Sequence, residues 1–371
     1  MSGGQDARRE RPATGHGQPR AAARLLCRLT TSTHEPRFSR EAGYDDGVET
    51  TSPSSRFRTI VRRWLIAALL ACLAAVVLAG GLVAAGWAYF HPRFDWRKGV
   101  VYGTRHGDPL TLDVLTPPAP NGLGIVFMVS GGWKSGRDSF HAWLMAPLLR
   151  RGYTVFAVCH VSQPEASVDE IVADVSRAVR FIRTHAADYH IDPERLGVAG
   201  ASAGGHLSLM LATRGGPGPT DAADPVDAAS SAVQAAAVFC PVTDLTDLTG
   251  STEDPGDGGP PRNYRRAFDQ EPVDMPRWRQ EARELSPLFH VTSDLPPVMI
   301  CHGDCDTLVT LDQSVRFRDR AAPLGCKVKL RVVAGAGHIW LTMPLDVMRC
   351  AAWFDSQLRD DAKPLAAGTA P

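Results

Sequence analysis

The sequence predicts an α/β fold, a mostly parallel sheet with helices on both faces, preceded by one transmembrane helix. Three observations carry this. Residues 64–90 contain no charged side chain. From about residue 95 to 360, short apolar runs alternate with segments of helical periodicity, as strands and crossover helices do in a parallel sheet. A Gly-x-Ser-x-Gly pentapeptide, Gly200 to Gly204, falls where one of those strands gives way to a helix.

The charge-free stretch sets the first boundary. Its core, Leu65 to Ala88, has 24 residues. As a helix it is about 36 Å long at ~1.5 Å per residue, enough to cross a hydrocarbon layer of ~30 Å with some tilt. Trp64 stands at one end, and Trp87, Tyr89 and Phe90 at the other, as interfacial aromatics do. Residues 1–63 precede it, with 12 Arg, no Lys and 7 acids, and their Gly, Ser, Thr and Pro lack apolar periodicity. They read as a disordered basic tail, and the positive-inside rule then puts the N-terminus in the cytoplasm and the rest of the chain outside it. Residues 361–371 read as a second disordered tail.

The remainder gives one domain, residues 95–360. IVFMV (125–129) is expected as a buried strand, followed by a helix from Asp138 to Arg150 with Gly152 past its end. TVFAVCH (154–160) is the next strand. Ser167 and Glu170 form a capping-box pattern, behind which Val168, Ile171, Val175, Val179 and Ile182 recur at helical spacing. Strands are then expected at 196–200, 232–239, 296–301 and 327–333, and a last helix at about 345–358. Residues 250–285, rich in Gly, Pro, Asp and Arg, interrupt the alternation and read as an insertion near the site.

Composition narrows the chemistry. Of 371 residues, 44% are apolar and 22% charged, an ordinary globular balance, and 40 basic side chains match 40 acidic ones. No basic stripe with interleaved aromatics follows the tail, so no nucleic-acid partner is expected. The eight cysteines form no pair of CxxC motifs, and Cys301 and Cys305 lack the further ligands of a zinc site. No metal and no cofactor is expected.

The pentapeptide Gly200-Ala201-Ser202-Ala203-Gly204 supplies the chemistry. A sharp strand-to-helix turn lifts a serine oxygen clear of a sheet, and glycines let the backbone approach closely there. A serine hydroxyl is a weak nucleophile at neutral pH, so it needs a base and a group to orient that base. His302-Gly303-Asp304-Cys305-Asp306 follows a strand, with Asp306 standing 104 residues after Ser202. Gly335-Ala336-Gly337-His338 follows the next strand, 32 residues later. Both lie past carboxyl ends of strands, where an open α/β sheet places its site. Ser202, Asp306 and His338 are the expected catalytic triad, with Asp304 the rival acid. The Ala203 amide and the loop Ser130-Gly131-Gly132-Trp133 can hold an oxyanion, through Gly131 and Gly132. His206 and His302 read as structural hydrogen-bonding groups.

With these residues in view, the chain resembles the α/β-hydrolase esterases and lipases related to hormone-sensitive lipase. The likeness is strongest to their feruloyl/acetyl-xylan esterase-like branch. It rests on residues 100–118, SGGWKSG (130–136), residues 151–183, IDPERLGVAGASAGGHLSLMLA (191–212), residues 286–309 and GAGH (335–338). The resemblance implies hydrolysis of small carboxylic esters, preferably with short acyl chains, through an acyl-enzyme on Ser202. Two alternatives stay open. One is an amide-cleaving relative, a formamidase or peptidase; the other is a catalytically silent domain used for binding. The sequence departs from the family in two places. Val129-Ser130-Gly131-Gly132-Trp133 stands where the family has His-Gly-Gly-Gly-Trp. Cys159-His160 stands where it often has Tyr-Arg.

Overall fold

The computed structural model describes residues 55–359, so the C-terminal tail and residues 1–54 lie outside the described residues. Helix α1 runs Ser55–Phe90. It starts before the charge-free stretch, because no Gly or Pro interrupts residues 55–64 and arginine is a good helix former. By length and composition it can cross a membrane.

Eight strands make one sheet: β1 (Asp95–Arg105), β2 (Asp108–Thr116), β3 (Gly124–Met128), β4 (Thr154–Val158), β5 (Leu196–Ala201), β6 (Ala235–Phe239), β7 (Val298–Gly303) and β8 (Val328–Val333). Their spatial order is β1-β2-β4-β3-β5-β6-β7-β8. The β1–β2 and β2–β4 pairs are antiparallel and every later pair is parallel. This is the mostly parallel α/β-hydrolase sheet. The antiparallel hairpin β1–β2 goes beyond the sequence expectation, because Gly99 and Gly103 and two register shifts break its alternation.

The helices between them are α2 (Ala146–Leu149), α3 (Val168–Thr184), α4 (Ala203–Arg214), α5 (Pro225–Ala228), α6 (Met275–Glu284), α7 (Leu311–Ala321) and α8 (Met343–Leu358). The continuous helix expected over 138–150 is instead two 3₁₀ turns, Arg137–Ser139 and Ala142–Met145, followed by the single turn α2. Phe140 and His141 are extended and divide the stretch, and Pro147, at the start of α2, has no N–H to give the Trp143 carbonyl. Helix α3 begins on the expected capping box, with Ser167 N–H donating to Glu170 Oε2 at 3.0 Å.

Side-chain alternation along the strands builds two cores. On one face Val126, Met128, Val198, Val238 and Ile300 pack under α3, α4 and α7 through Ile171, Val175, Leu207, Met210 and Phe317. On the other, Ile125, Ala199, Ala237, Met299 and Cys301 pack against α2 and α8 through Leu148, Leu149, Ala351 and Phe354. These side chains are almost wholly buried, which at ~25 cal/mol per Å² is the main stabilising term.

Strand order also places the site. After β3 the chain moves to β4 on one side, then returns to β5 on the other side of β3. That reversal leaves a crevice beyond the carboxyl ends of β3 and β5, which pair as far as Met128 with Gly200. Ser130 to Trp133 and Ser202 follow directly on those two ends.

Candidate active site

Ser202 joins β5 to α4 with φ 55° and ψ −122°. A side chain is rarely held there, and such backbone costs on the order of 1–3 kcal/mol. Its neighbours hold it: Ser202 N–H donates to Phe239 O at 2.9 Å, and His206 N–H to Ser202 O at 2.9 Å. The turn is so tight that a Cβ on Gly200 would lie 2.3 Å from Gly204 O, so no larger residue fits.

Beyond β7, Asp306 Oδ2 lies 2.7 Å from His338 Nδ1, and the carboxylate is fully buried. Its other oxygen accepts the N–H groups of Leu308 and Val309 at 2.9 and 3.0 Å. His302 Nε2 stands 3.3 Å from Oδ2. Burial alone would raise the Asp306 carboxyl pKa, but the hydrogen bonds from His302, His338 and Val309 outweigh it and hold the group well below the usual carboxylate range. With Nδ1–H given to this carboxylate, His338 keeps Nε2 as an acceptor. Ser202 Oγ itself makes no hydrogen bond among the described residues.

The loop after β3 closes as a tight turn. Gly131 N–H donates to Lys134 O and Lys134 N–H to Gly131 O, at 2.9 and 3.0 Å. Gly132 and Trp133 between them both have φ 55°, which makes a type I′ turn. The Gly131 amide is thus spent inside the turn. Those of Gly132 and Ala203 donate to no acceptor among the described residues, and both residues line one cavity with Ser202. Of the three expected oxyanion residues, the structure therefore brings two to the serine, and gives Gly131 the task of closing the turn.

That cavity has about 520 Å³ of space, open mouth included, walled by Trp133, Val242, Leu245, Leu248, Tyr264 and Leu308 among others. Residues 250–285 supply Ser251, Glu253, Pro261 and Tyr264 to it. The Tyr264 and Phe268 rings meet Trp133 edge to face at 5.4 and 5.1 Å between centroids. The insertion thus forms part of the pocket wall.

The BD-FAE family model matches residues 112–320, which spans every element from β2 to α7. The chain belongs to the BD-FAE family. Several similar proteins are known as esterases. A probable isoprenylcysteine alpha-carbonyl methylesterase of Arabidopsis thaliana is 25% identical over 74% of this chain and 57% of its own length. The probable carboxylic ester hydrolase LipM of Mycobacterium tuberculosis is 30% identical over 56% of this chain and 46% of its own. The chain therefore spans about half the length of these two relatives. Among solved structures, native esterase 2 of Thermogutta terrifontis matches with a TM-score of 0.55 and 25% identity, over 76% of this chain and 96% of that one. An acetyl ester-xyloside bifunctional hydrolase of Caldicellulosiruptor lactoaceticus matches with a TM-score of 0.57 at 22% identity, over 71% and 97%, a likeness of fold.

In this BD-FAE member, the two other histidines singled out by sequence are hydrogen-bonding groups. His206 accepts Trp133 Nε1–H at 3.2 Å and meets Leu285 O at 2.7 Å, and burial lowers its pKa to about 4. His302 meets Ser314 Oγ at 2.7 Å and Val309 O at 2.8 Å behind Asp306. Sequence reasoning passed over Cys240. Its thiol, Asp306 and His338 offer donor atoms within 4.8 Å of one another, the one such group among the described residues. Burial and the Asp306 charge push the thiol up to about 12, and Sγ donates to His338 O at 3.4 Å. Cys240 is therefore a neutral thiol supporting the His338 backbone, and a buried apolar strand end carried no sequence signal of it.

Proposed function

We propose that the chain hydrolyses carboxylic esters with short acyl chains through an acyl-enzyme on Ser202. The observation that carries this reading is the Asp306–His338 hydrogen bond of 2.7 Å beside Cys240, whose chain neighbour Phe239 accepts the N–H of Ser202 on its strained elbow. His338 Nε2 takes the Ser202 proton as Oγ attacks the ester carbonyl carbon. The carbonyl electron pair moves onto oxygen, held by the amides of Ala203 and Gly132. The oxyanion collapses, the C–O bond breaks, and the alcohol leaves with the proton from His338. Water then repeats the cycle and frees the acid. Asp306 keeps Nδ1 protonated and offsets the imidazolium charge. The absence of a Ser202–His338 hydrogen bond is compatible with this, because catalytic hydrogen bonds often tighten only around substrate.

That the relatives are a probable methylesterase and a probable carboxylic ester hydrolase favours esters over amides, and structures of Thermogutta terrifontis esterase 2 with propionate and butyrate favour short acyl groups. The apolar stretch of α1 tethers the enzyme to a membrane, with the catalytic domain of residues 95–360 outside the cytoplasm. A reporter active only in the cytoplasm, fused after residue 360, should stay silent; a strong signal overturns this orientation. The activity is tested on the full-length protein in detergent with p-nitrophenyl esters and a serine-directed fluorophosphonate. Turnover of acetate to hexanoate esters, and labelling that disappears in Ser202→Ala, are expected. A folded protein that neither labels nor turns over any ester is a binding module instead.

A further inference from the structure

The two places where the sequence departs from its family meet in one hydrogen bond. Ser130, at the head of the turn after β3, lies with Oγ 2.9 Å from Nε2 of His160, in the loop after β4. His160 is 7% exposed and its Nδ1 lies 2.8 Å from Val161 O. A carbonyl only accepts, so Nδ1 carries the proton and Nε2 is left to accept the Ser130 hydroxyl. Burial, opposed by the Val161 contact, lowers the His160 pKa to about 4, so the ring is neutral and this tautomer stands at working pH.

More than a side chain is fixed by this contact. Ser130 O accepts Gly204 N–H at 3.1 Å, which ties the turn to the first residues of α4 beside Ser202. Further along, Gln163 N–H donates to Trp133 O at 3.0 Å and Gln163 Nε2 to Gly132 O at 3.3 Å. His160 N–H donates to Ser135 Oγ at 3.3 Å, and Ser135 N–H to Ser162 Oγ at 2.9 Å. The loop after β4 thus holds the turn at its start, middle and end. The peptide plane that carries Gly132 N–H is that of the Gly131 carbonyl, which accepts Lys134 N–H inside the turn, so the aim of this amide follows the placement of the turn as a whole; Gly132 lines the cavity and its N–H has no acceptor among the described residues. Ser130–His160 is the side-chain pair at the start of the turn among the described residues, where the path from the helix to the Gly132 amide begins. Neither residue lines the cavity, so the pair is not a second nucleophile and base.

We propose that His160 is a positioning residue for the oxyanion turn, holding Ser130 through Nε2 so that the Gly132 amide stays aimed at the site of the Ser202 oxyanion. The inference rests on the serine-esterase reading above. A brace of this kind acts on an amide used only in the transition state, so its loss falls on kcat and leaves KM nearly unchanged. Losing an oxyanion donor outright costs roughly 10²–10³-fold; misaiming one costs less, about 10-fold.

The test uses the full-length enzyme, p-nitrophenyl butyrate, and the variants His160→Phe, His160→Gln, Ser130→Ala and the double His160→Phe/Ser130→Ala. His160→Phe and Ser130→Ala should each lower kcat about 10-fold with KM within about twofold. The double should be no worse than either alone. His160→Gln, which keeps an acceptor near the Nε2 position, should recover to within about threefold of wild type. Wild-type kcat in folded His160→Phe, a loss confined to KM, or losses that multiply in the double would each overturn the brace. Should His160→Phe not fold, Ser130→Ala decides, and an unchanged kcat there overturns it. Fluorophosphonate labelling of wild type separates the two levels: an unlabelled, inactive wild type overturns the esterase reading itself, while a labelled, active one leaves only the brace in question.

Discussion

Asp304 accepts the Gly335 amide, with Gly335 N 2.7 Å from Asp304 Oδ1, and so ties the loop after β7 to the loop that carries His338. The two acids of this segment therefore divide the work. Asp306 reaches the imidazole, and Asp304 braces the backbone three residues upstream of it. The loops also meet where Cys305 N–H donates to Ala336 O at 2.9 Å. A Cβ on Gly303 would stand 2.2 Å from that same carbonyl oxygen, so only glycine allows the approach.

This division predicts unequal losses from two isosteric changes. Asp306→Asn should lower kcat by about 10³–10⁴-fold, because an amide no longer fixes the imidazole tautomer or offsets its charge. Asp304→Asn keeps an oxygen acceptor for Gly335 N–H and should cost less than about 10-fold. Steady-state kinetics on p-nitrophenyl butyrate compares them. A larger loss at Asp304 than at Asp306 would reverse the assignment of the acid.

Ser202 and His338 should behave as one unit. Each single alanine variant should remove nearly all turnover, and Ser202→Ala/His338→Ala should be little worse than either, since triad losses are not additive. Residual rates well above the uncatalysed reaction in both singles, multiplying in the double, would show that the two residues act independently.

The Asp306 carboxyl also links stability to pH. Its folded pKa is depressed, because hydrogen bonds from His302, His338 and Val309 outweigh the effect of burial. The unfolded chain has a carboxyl pKa of ~3.9. The stabilisation is therefore complete above that value and is lost as pH falls toward the folded pKa. The melting temperature of the wild type should fall below about pH 4, and Asp306→Asn should show a shallower fall over the same range. Equal slopes for the two proteins would mean that Asp306 does not carry the linkage.

Much of this was legible beforehand for a physical reason. Strands β3 to β7 are buried on both faces, so they read as continuous apolar runs such as IVFMV and PPVMIC, and Ser130, Ser202 and Asp306 follow closely on the ends of β3, β5 and β7. Where burial is partial, the pattern is less informative: β8, half-exposed, still reads as a strand from its β-branched residues, but β1 does not. Strand β1 alternates between half-exposed and exposed positions and went unseen. The stretch 138–150 is apolar enough for a helix, but extended backbone at Phe140 and His141 divides it. At the site, residue type and spacing single out Ser202, Asp306 and His338 as candidates, of which Asp306 and His338 are hydrogen-bonded, whereas peptide direction was invisible. That Gly131 N–H turns inward to Lys134 O, while Gly132 N–H stays open, depends on the φ angles of a two-residue turn, which a run of small residues does not encode. Contacts between distant loops, such as Ser130 with His160, leave no local pattern either.

The pocket wall predicts the acyl limit. Its apolar surface is interrupted by Ser251, Glu253, Thr310 and Gln313. The Glu253 carboxylate is held by Asn263 N–H and Nδ2, both at 2.9 Å, and no salt bridge neutralises it among the described residues. A short acyl group packs against Val242, Leu245 and Leu248 and leaves this carboxylate hydrated. A longer chain has to strip water from it, and removing solvent from an unpaired charge is costly. kcat/KM should therefore peak at about two to six acyl carbons and fall at least about 10-fold by ten. Glu253→Gln keeps one of the two oxygens that accept from Asn263 and removes the charge, so it should raise the ten-carbon to four-carbon ratio about 10-fold, a gain within the ~10–200-fold that small pocket changes command. The measurement is kcat/KM across p-nitrophenyl esters of increasing length for both proteins. A wild-type profile rising steadily to long chains would contradict the limit, and an unchanged ratio in Glu253→Gln would show that the carboxylate does not set it.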